Sequence, residues 1–512
     1  MTKVNLDALI VREDFEIEDK IQHGKMKDTL SIEDLKPDSF FYSALRKPDF
    51  QRETSEWDTN KICEFIDSFL EGDLIPAIIL WRSSCGYLFV IDGSHRISAL
   101  SAWINNDYGD GPISKRFYDG IIPDEQILVA EATRNRINKR IGSYDDYRLA
   151  ISHPDNVKES IAQKSKLLGG LAIQLQWVDG DVQKAENSFF KINQQAAPIN
   201  STEITLLKSR KKPNCIAARA IIKSGKGHKY WAHFTKENQE RIQDIAKEIN
   251  SLLFTPKLET PVKTLDLPIG GKIYTSAALP LVLELINISN SVSKETSDDV
   301  DGTKTISFLQ QTLKTVRIIN SNHPSSLGLH PIVYLYSQDG RHKVASFYSI
   351  ALFVKELEEK KMLNRFIEKR ETFEKILVKY EYFIQQILRK YRSATSAFVY
   401  IKEFYFELLE KINDTCTIDG VISEIIKSEK YSYLTLQVEK EIVSSSDFSK
   451  ERKSAVYIKE ALHSAPKCKI CGGYIHRNSI SIDHIVRKQD GGLGSVENGQ
   501  LSHPYCNTGF KN

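Results

Sequence analysis

The sequence predicts a multidomain α+β protein, and three observations support that fold class. The chain has 512 residues, more than one hydrophobic core usually organises, so two to four domains are expected. In the first half, short apolar runs such as PAIILW and YLFVID alternate with helical patterns, which is typical of an α/β or α+β domain. Cysteine and histidine pairs then cluster near the C-terminus and indicate a small metal-stapled module.

The patterns divide the chain into five predicted segments. They are an N-terminal extension over 1–30, an α/β domain over 31–235, a mostly helical domain over 236–445, a linker over 446–460 and a C-terminal module over 461–512. The helical domain is clearest where apolar side chains recur at three, four and seven positions: Phe366, Phe373, Leu377, Tyr380, Ile384 and Ile387. The polar stretch SSSDFSKERKS predicts a hinge before the last module.

Composition narrows the class of protein further. Apolar residues at 41% and charged residues at 27% are ordinary for a soluble globular protein, and a net charge of +3 argues against a histone-like one. From Lys467 onward there are six Lys and Arg against three Asp and Glu, which suits a phosphate-bearing partner. The N-terminus carries acidic residues and lacks a continuous apolar stretch, and no apolar run is long enough for a membrane span. We therefore expect a cytoplasmic protein.

The seven cysteines are distributed as in a metal site rather than a disulfide framework. Four scattered ones are expected to be buried hydrophobes: Cys63, Cys85, Cys215 and Cys416. The C-terminal residues Cys468 and Cys471, then His503 and Cys506, form two pairs that can complete a closed tetrahedral zinc shell. A module of about 50 residues buries little apolar surface, so a structural zinc supplying roughly 10 kcal/mol would explain how it folds.

An ordered set of polar residues lies between these two metal-binding pairs. Asp483 and His484 follow alternating isoleucines, so they are placed at the end of a short strand. The Gly491-Gly492 turn, Glu497-Asn498 and Asn507 come next, and this succession resembles the HNH nuclease family with its ββα-metal fold. Strict alternation would point Asp483 and His484 to opposite faces, so we expect the strand to twist or end there.

The resemblance implies a role for each of these residues. His484 would be the general base that activates water, Asp483 and Asn507 would hold one catalytic Mg²⁺ or Mn²⁺, and Asn498 would orient the loop of His484. A neutral imidazole accepts a proton at neutral pH, and oxygen ligands suit these ions better than zinc. Two metals in different roles are therefore implied.

A different interpretation of the same segment is a zinc knuckle that only binds nucleic acid or a partner protein. Asp483 and His484 would then be incidental surface residues. We also expect His476 to be a surface or phosphate-contacting residue, because no partner at ligand spacing accompanies it.

A second constellation lies in the N-terminal half. Asp92 and Gly93 end an apolar strand, and His95 and Arg96 open a helical pattern. Such a strand-turn-helix can present backbone N–H groups and a guanidinium to a phosphate. No glycine-rich loop ending in Gly-Lys-Ser or Gly-Lys-Thr occurs, which excludes an ordinary P-loop site.

Three motifs occur in order around this turn: PDFQR followed by Trp57, FVIDGSHRISAL, and FFKINQQAAPINSTE. They resemble the N-terminal domain of GmrSD-type modification-dependent restriction proteins, of the ParB/sulfiredoxin-like group. The resemblance implies a nucleotide pocket lined by Gln51, Arg52, Asp92, Gly93, His95, Arg96 and Asn193. Ser94-His95 replaces the glutamines, or Gln-His, usual in that family, so NTP hydrolysis is left open.

Together the two resemblances predict an HNH endonuclease that nicks or cleaves DNA in restriction or anti-phage defence. A nucleotide-binding sensor domain would control it, and the chain could form a homo-oligomer. The competing hypothesis is a ParB-like DNA-binding or adaptor protein whose zinc module does not cut. RNA as the target also stays open, because basic residues alone do not distinguish it from DNA.

Overall fold

The computed structural model describes most of the chain. The described residues are 3–13, 26–48, 51, 54–118, 122, 124–196, 206, 209–226, 229–273, 278–293, 295–413, 417–436 and 446–511. They form two compact units, Met1–Arg210 with Lys226–Tyr230, and Lys211–Gly225 with Trp231–Asn512. The predicted mixed α and β class is confirmed. The first unit ends at Arg210 and regains Lys226–Tyr230, so the second unit continues without interruption from Trp231, whereas the sequence predicts the boundary at residue 235.

The first unit is built on a mixed sheet. Its strands are β1 (Val11–Glu13), β2 (Thr29–Ser31), β3 (Leu45–Pro48), β4 (Ile78–Arg82), β5 (Leu88–Asp92) and β6 (Ala172–Val178). They run in the order β1-β3-β5-β4-β6-β2, with β4–β5 and β2–β6 antiparallel and the other pairs parallel. Side chains of β5 alternate between two apolar clusters, Val90 in one and Phe89 in the other. Both faces of the sheet are therefore covered.

Helices cover this sheet, and the predicted one after Trp57 is present. They are Phe40–Ala44, Thr59–Glu71, Ser94–Asn105, Pro112–Phe117, Asp124–Arg140, Tyr144–Ser152, Glu159–Leu168 and Val182–Ala196. Thr59–Glu71 buries Ile62, Ile66 and Phe69 and ends at Gly72, whose φ of 74° is the left-handed conformation that glycine adopts at helix ends. The sequence therefore encoded both the stripe and the stop.

The first residues belong to the core and are not an extension. Val4, Leu6, Leu9 and Ile10 are buried in the main cluster of the first unit. The next three residues form β1, which pairs with β3 in parallel. The sequence predicts a separate extension over 1–30, whereas residues 3–13 pack into the first unit and β1 forms an edge of its sheet.

The second unit is mostly helical, as predicted for its central part. Its described helices are Pro213–Ile222, Lys236–Phe254, Ala278–Asn290, Thr303–Ile319, Pro331–Tyr334, Val344–Glu359, Leu363–Lys379, Tyr382–Tyr391, Ala394–Lys411, Ile418–Lys427 and Lys450–His463. The six apolar residues of the predicted helical stripe are all buried; five lie on the helices Leu363–Lys379 and Tyr382–Tyr391, and Tyr380 lies between them. None of the described helices is both long and apolar enough to cross a membrane.

The predicted linker over 446–460 is a helix instead. Lys450–His463 buries Ser454, Ile458 and Leu462, which recur every four residues on one face. The Ser454 hydroxyl oxygen accepts from the Val262 N–H over 2.7 Å. The segment is therefore packed against the rest of the second unit. Its mostly polar composition made this short apolar stripe difficult to recognise in the sequence.

The chain ends in a small hairpin within the second unit. Strands β7 (Ser481–His484) and β8 (Gly499–Ser502) pair antiparallel, and a helical turn over Cys506–Phe510 follows. The strand ends at His484, where the sequence required a twist or an end.

Candidate active site and metal centre

Three cysteines and one histidine come together beside the C-terminal hairpin. One ligand atom from each of these buried residues lies within 4.8 Å of all the others: Cys468, Cys471, His503 and Cys506. Cys468 and Cys471 belong to a turn in which the Gly472 N–H donates to the Cys468 carbonyl oxygen over 2.9 Å. Three thiols and one imidazole at this separation form a donor set that suits a tetrahedral zinc ion.

The His503 ring is oriented by its second nitrogen. Nε2 lies 3.0 Å from the Tyr474 carbonyl oxygen, so the ring proton is assigned to Nε2. The lone pair on Nδ1 then faces the thiols, 3.4 Å from Cys471 Sγ and 3.8 Å from Cys506 Sγ. Metal-binding histidines usually donate their other N–H to a carbonyl or carboxylate in this way. The ring is therefore set to ligate a metal through Nδ1.

Asp483 and His484 stand at the end of β7. Asp483 is 5% exposed and His484 is half-buried. Asn507, in the turn after β8, donates through Nδ2 to Ser481 Oγ over 2.8 Å and to the Ile482 carbonyl oxygen over 3.3 Å. These bonds place Asn507 against the strand that carries Asp483 and His484.

The Asp483 carboxylate already has a cation beside it. Lys511 Nζ lies 2.6 Å from Asp483 Oδ2 and also donates to the His484 carbonyl oxygen over 2.6 Å. Gln500 Nε2 donates to the same Oδ2 over 2.7 Å. Sequence reasoning missed both residues. The available signals were a lysine four positions after Asn507 and a glutamine directly across the hairpin from Asp483.

Asn498 closes the loop that follows His484. Its Oδ1 accepts from the Val486 N–H over 2.7 Å, and its Nδ2 donates to the carbonyl oxygens of Val486 and Leu493 over 3.1 and 2.8 Å. One amide thus joins three backbone groups of the loop. This arrangement suits the loop-orienting role that the sequence resemblance implied.

His476 is not at the surface, so that prediction is wrong. The residue is 2% exposed, and burial lowers the pKa of its imidazole to about 4. Its Nδ1 lies 3.2 Å from Asn320 Oδ1, and its Nε2 lies 3.3 Å from Asp266 Oδ1. The partners come from distant segments of the helical part, which spacing within the C-terminal module could not reveal.

In the first unit, several predicted pocket residues gather where β5 meets the helix Ser94–Asn105. Gln51 is buried, and its Nε2 donates to Ser94 Oγ over 3.4 Å. The His95 ring stacks on Trp57 with centroids 5.6 Å apart. Gly93 has φ of 99°, and a Cβ there would lie 2.9 Å from Ile78 Cγ1. Glycine is therefore required for this turn.

The guanidinium of Arg96 is engaged inside the protein. Its Nη2 lies 2.5 Å from Asp92 Oδ2, and its Nη1 donates to the Pro76 carbonyl oxygen over 2.9 Å. The sequence predicts that this guanidinium binds a phosphate, but in the structure its partners are Asp92 and the Pro76 carbonyl oxygen. Arg52 lies outside the described residues, and Asn193 lies in the helix Val182–Ala196 with its side chain outside them.

Comparison with known protein families identifies the domain that contains the Cys/His cluster and the C-terminal hairpin. Residues 468–512 match the family described as HNH endonuclease. The chain carries an HNH endonuclease domain. Residues 32–211 match the N-terminal domain of the GmrSD restriction endonuclease. No curated protein and no solved structure gives a significant match.

With an HNH endonuclease domain, the chain is a nuclease and therefore a hydrolase. The second match extends this to a restriction-type nuclease. Both domains predicted from the sequence motifs are confirmed. The HNH match begins at Cys468, so it takes in the whole Cys/His cluster together with Asp483, His484, Asn498 and Asn507.

Four scattered cysteines are predicted to be buried, and the structure confirms this for two of them. Cys63 and Cys215 are buried as expected, whereas Cys85 is only half-buried. Cys416 lies outside the described residues.

Proposed function

We propose that the chain is a metal-dependent HNH endonuclease that nicks or cleaves DNA in restriction or anti-phage defence. The observation that carries the proposal is the convergence of three groups at one hairpin. Asp483 and His484 end β7, and Asn507 is hydrogen bonded to the same strand. The residues of the Cys/His cluster flank this hairpin in the chain.

In this proposal His484 is the general base. Within the part of the chain that the structure describes, its imidazole makes no hydrogen bond, so a ring nitrogen is available to take a proton from water. The water then attacks the phosphorus in line with the leaving oxygen, whose bond to phosphorus breaks. Asn498 keeps the following loop closed and thereby holds the His484 backbone in place.

Asp483 and Asn507 are proposed to hold the catalytic divalent ion. A buried carboxylate and an amide oxygen are donors that Mg²⁺ and Mn²⁺ prefer. When bound, the ion would neutralise the charge that develops on the phosphate. Lys511 is the cation now at Asp483. A divalent ion bound to Asp483 would displace the Lys511 ammonium group, which would then be available to contact the phosphate.

Cleavage of supercoiled plasmid tests this proposal. The wild type should relax or linearise the plasmid with Mg²⁺ or Mn²⁺ and should be inactive without either. A single HNH site per chain makes nicking the simpler expectation. Asp483→Asn should lower the rate by at least about 10²-fold, because metal ions contribute several kcal/mol to such transition states. The exposed Asp490→Asn is the matched control and should cut at the wild-type rate.

The outcome that favours the competing hypothesis is equally specific. If wild type and Asp483→Asn both bind DNA and neither cuts DNA or RNA, the result supports a zinc module that binds nucleic acid without cleaving it. If RNA alone is cut, the nuclease proposal holds and its substrate changes. Plasmids carrying modified and unmodified bases in parallel show whether a modification is read.

We further propose that the GmrSD-type domain binds a nucleotide and controls the nuclease. Gln51, Gly93 and His95 lie together at one end of the sheet, and Gln51 Oε1 is buried without a hydrogen-bond partner among the described residues. Because Arg96 is engaged by Asp92, the phosphate is expected to meet the first N–H groups of the helix Ser94–Asn105. Control of this kind would restrain a nuclease that otherwise damages host DNA.

The nucleotide proposal predicts that GTP, ATP or CTP changes the plasmid cleavage rate. Gln51→Leu keeps the side-chain volume and removes the buried amide, so it should weaken nucleotide binding in calorimetric titrations. The exposed Gln163→Leu on the helix Glu159–Leu168 is the control and should bind as the wild type does. Identical cleavage rates with and without every nucleotide would contradict control by this domain.

A further inference from the structure

A fully buried arginine of the helical part lies against the Cys/His cluster. Arg370, on the helix Leu363–Lys379, has no exposed side-chain surface. Its Nη2 donates to the Gly328 carbonyl oxygen over 3.0 Å, and its Nη1 also donates to the Leu327 carbonyl oxygen. Burying a guanidinium costs free energy unless nearby negative charge and acceptors compensate. The surroundings of Arg370 must therefore supply them.

Two side chains contact the guanidinium through different nitrogens. Arg370 Nε donates to Glu374 Oε1 over 2.7 Å, and Glu374 is itself 1% exposed. Arg370 Nη1 lies 3.2 Å from His503 Nδ1, the nitrogen that faces the thiols. A Cβ on Gly473 would come within 2.4 Å of Arg370 Nε, so the side chain also presses against the turn that carries the first two cysteines.

Glu374 reaches the same histidine by another route. Its Oε2 accepts from the Tyr474 N–H over 2.7 Å, and the Tyr474 carbonyl oxygen is the group that orients His503 Nε2. The two helical residues therefore contact His503 from both of its ring nitrogens, Arg370 directly and Glu374 through Tyr474. Neither lies within residues 468–512, which the HNH family covers.

The charge of the cluster explains why a cation is needed there. Three thiolates and a neutral imidazole around a divalent zinc leave one negative charge in excess, and the cluster is buried. In a medium of low dielectric constant, a nearby positive charge offsets that excess strongly. The Arg370 guanidinium contacts both His503 of this centre and the Glu374 carboxylate. One cation is therefore shared by two groups that carry negative charge.

We propose that Arg370 is the counter-cation of the zinc centre, so that the helical part of the chain controls how firmly the HNH domain holds its zinc. The inference rests on the proposed zinc site. It makes Arg370 a positioning residue for that site and not a catalytic one. Arg370 Nη1 cannot donate to His503 Nδ1 once that nitrogen ligates zinc, and it would donate to a neighbouring thiolate instead.

The test is the rate at which the full-length chain loses zinc to the chromogenic chelator 4-(2-pyridylazo)resorcinol. Zinc bound per chain is measured first in the wild type. Arg370→Met should release zinc about 10- to 100-fold faster, the usual effect of removing a group that supports a metal ligand. Arg365→Met on the same helix removes an exposed arginine and should release zinc at the wild-type rate.

A double variant separates the zinc centre from the Glu374 ion pair. Arg370→Met leaves a buried carboxylate without its cation, which alone can loosen the fold. Arg370→Met/Glu374→Met removes both charges and keeps apolar volume, and circular dichroism should show a folded chain. We expect this double variant to release zinc as fast as Arg370→Met, whereas Arg370→Lys, which keeps the charge, should be intermediate.

The outcomes distinguish the inference from the site on which it rests. If the wild type holds no zinc after purification with zinc present, the proposed centre itself is wrong. If the wild type holds zinc and the folded double variant releases it at the wild-type rate, Arg370 serves only Glu374 and the inference is overturned. Equal release by Arg370→Met and Arg365→Met would overturn it as well.

Discussion

Replacing His484 with alanine is expected to lower the rate of DNA cleavage by about 10²- to 10⁴-fold, the usual contribution of a general base. The imidazole is half-buried at the end of β7 and makes no hydrogen bond within the described residues, so replacing it leaves no buried polar partner unpaired. Its removal should therefore leave folding intact. Single-turnover cleavage of a labelled duplex, with enzyme in excess, measures the chemical step directly.

His463→Ala is the matched control for this loss. His463 is an exposed histidine at the end of the helix Lys450–His463, in the same compact unit. The control variant should cut at the wild-type rate, and both variants should bind duplex DNA as the wild type does. Cleavage by His484→Ala within a few-fold of wild type would assign the proton transfer to another group.

The parts of the site that lie close together in the chain could be predicted from sequence. The four cluster residues come in two pairs with two residues between each pair, and a hairpin joins the pairs. Such spacing permits few geometries, because each pair must bend around one metal ion. Asp483 and His484 were likewise placed correctly at a strand end by the alternating isoleucines before them.

The residues that sequence reasoning missed approach the site from elsewhere. Arg370 lies 133 positions before His503, and His476 finds its partner Asn320 156 positions away. Tertiary packing sets such contacts, and no local periodicity encodes them. Arg96 shows the converse error, since its position four residues after Asp92 is the spacing of an ion pair across a helix start. This spacing alone indicates that the Arg96 guanidinium can pair with Asp92 rather than with a phosphate.

Two predicted segments differ from the structure for a related reason. The sequence indicates where polarity rises, and that signal suggested a hinge before the HNH domain and an extension at the N-terminus. Burial contradicts both, because Ser454 and Ile458 pack within the second unit and Val4 and Leu6 within the first. A short apolar stripe in a polar segment is enough to anchor a helix when a large neighbouring surface is available.

Loss of one zinc ligand is expected to have the largest effect on the HNH domain. In Cys506→Ser the hydroxyl is a poor zinc ligand, and structural zinc contributes roughly 10 kcal/mol or more to the folding of small modules. Contacts with the helical part, such as Tyr505 N–H to the Ser326 carbonyl oxygen over 3.0 Å, should preserve part of the fold. We therefore expect local unfolding of the hairpin, with the rest of the second unit intact.

Hydrogen exchange and zinc content measure this local effect. Amides of β7 and β8 should lose protection in Cys506→Ser, whereas those of the helix Val344–Glu359 should keep it. Cys85→Ser, at a half-buried cysteine outside the cluster, is the control and should retain full zinc. Wild type stripped with 1,10-phenanthroline should likewise stay inactive in Mg²⁺ and recover only when zinc is returned. Recovery with Mg²⁺ alone would mean that zinc has no structural role, since the catalytic ion would then suffice.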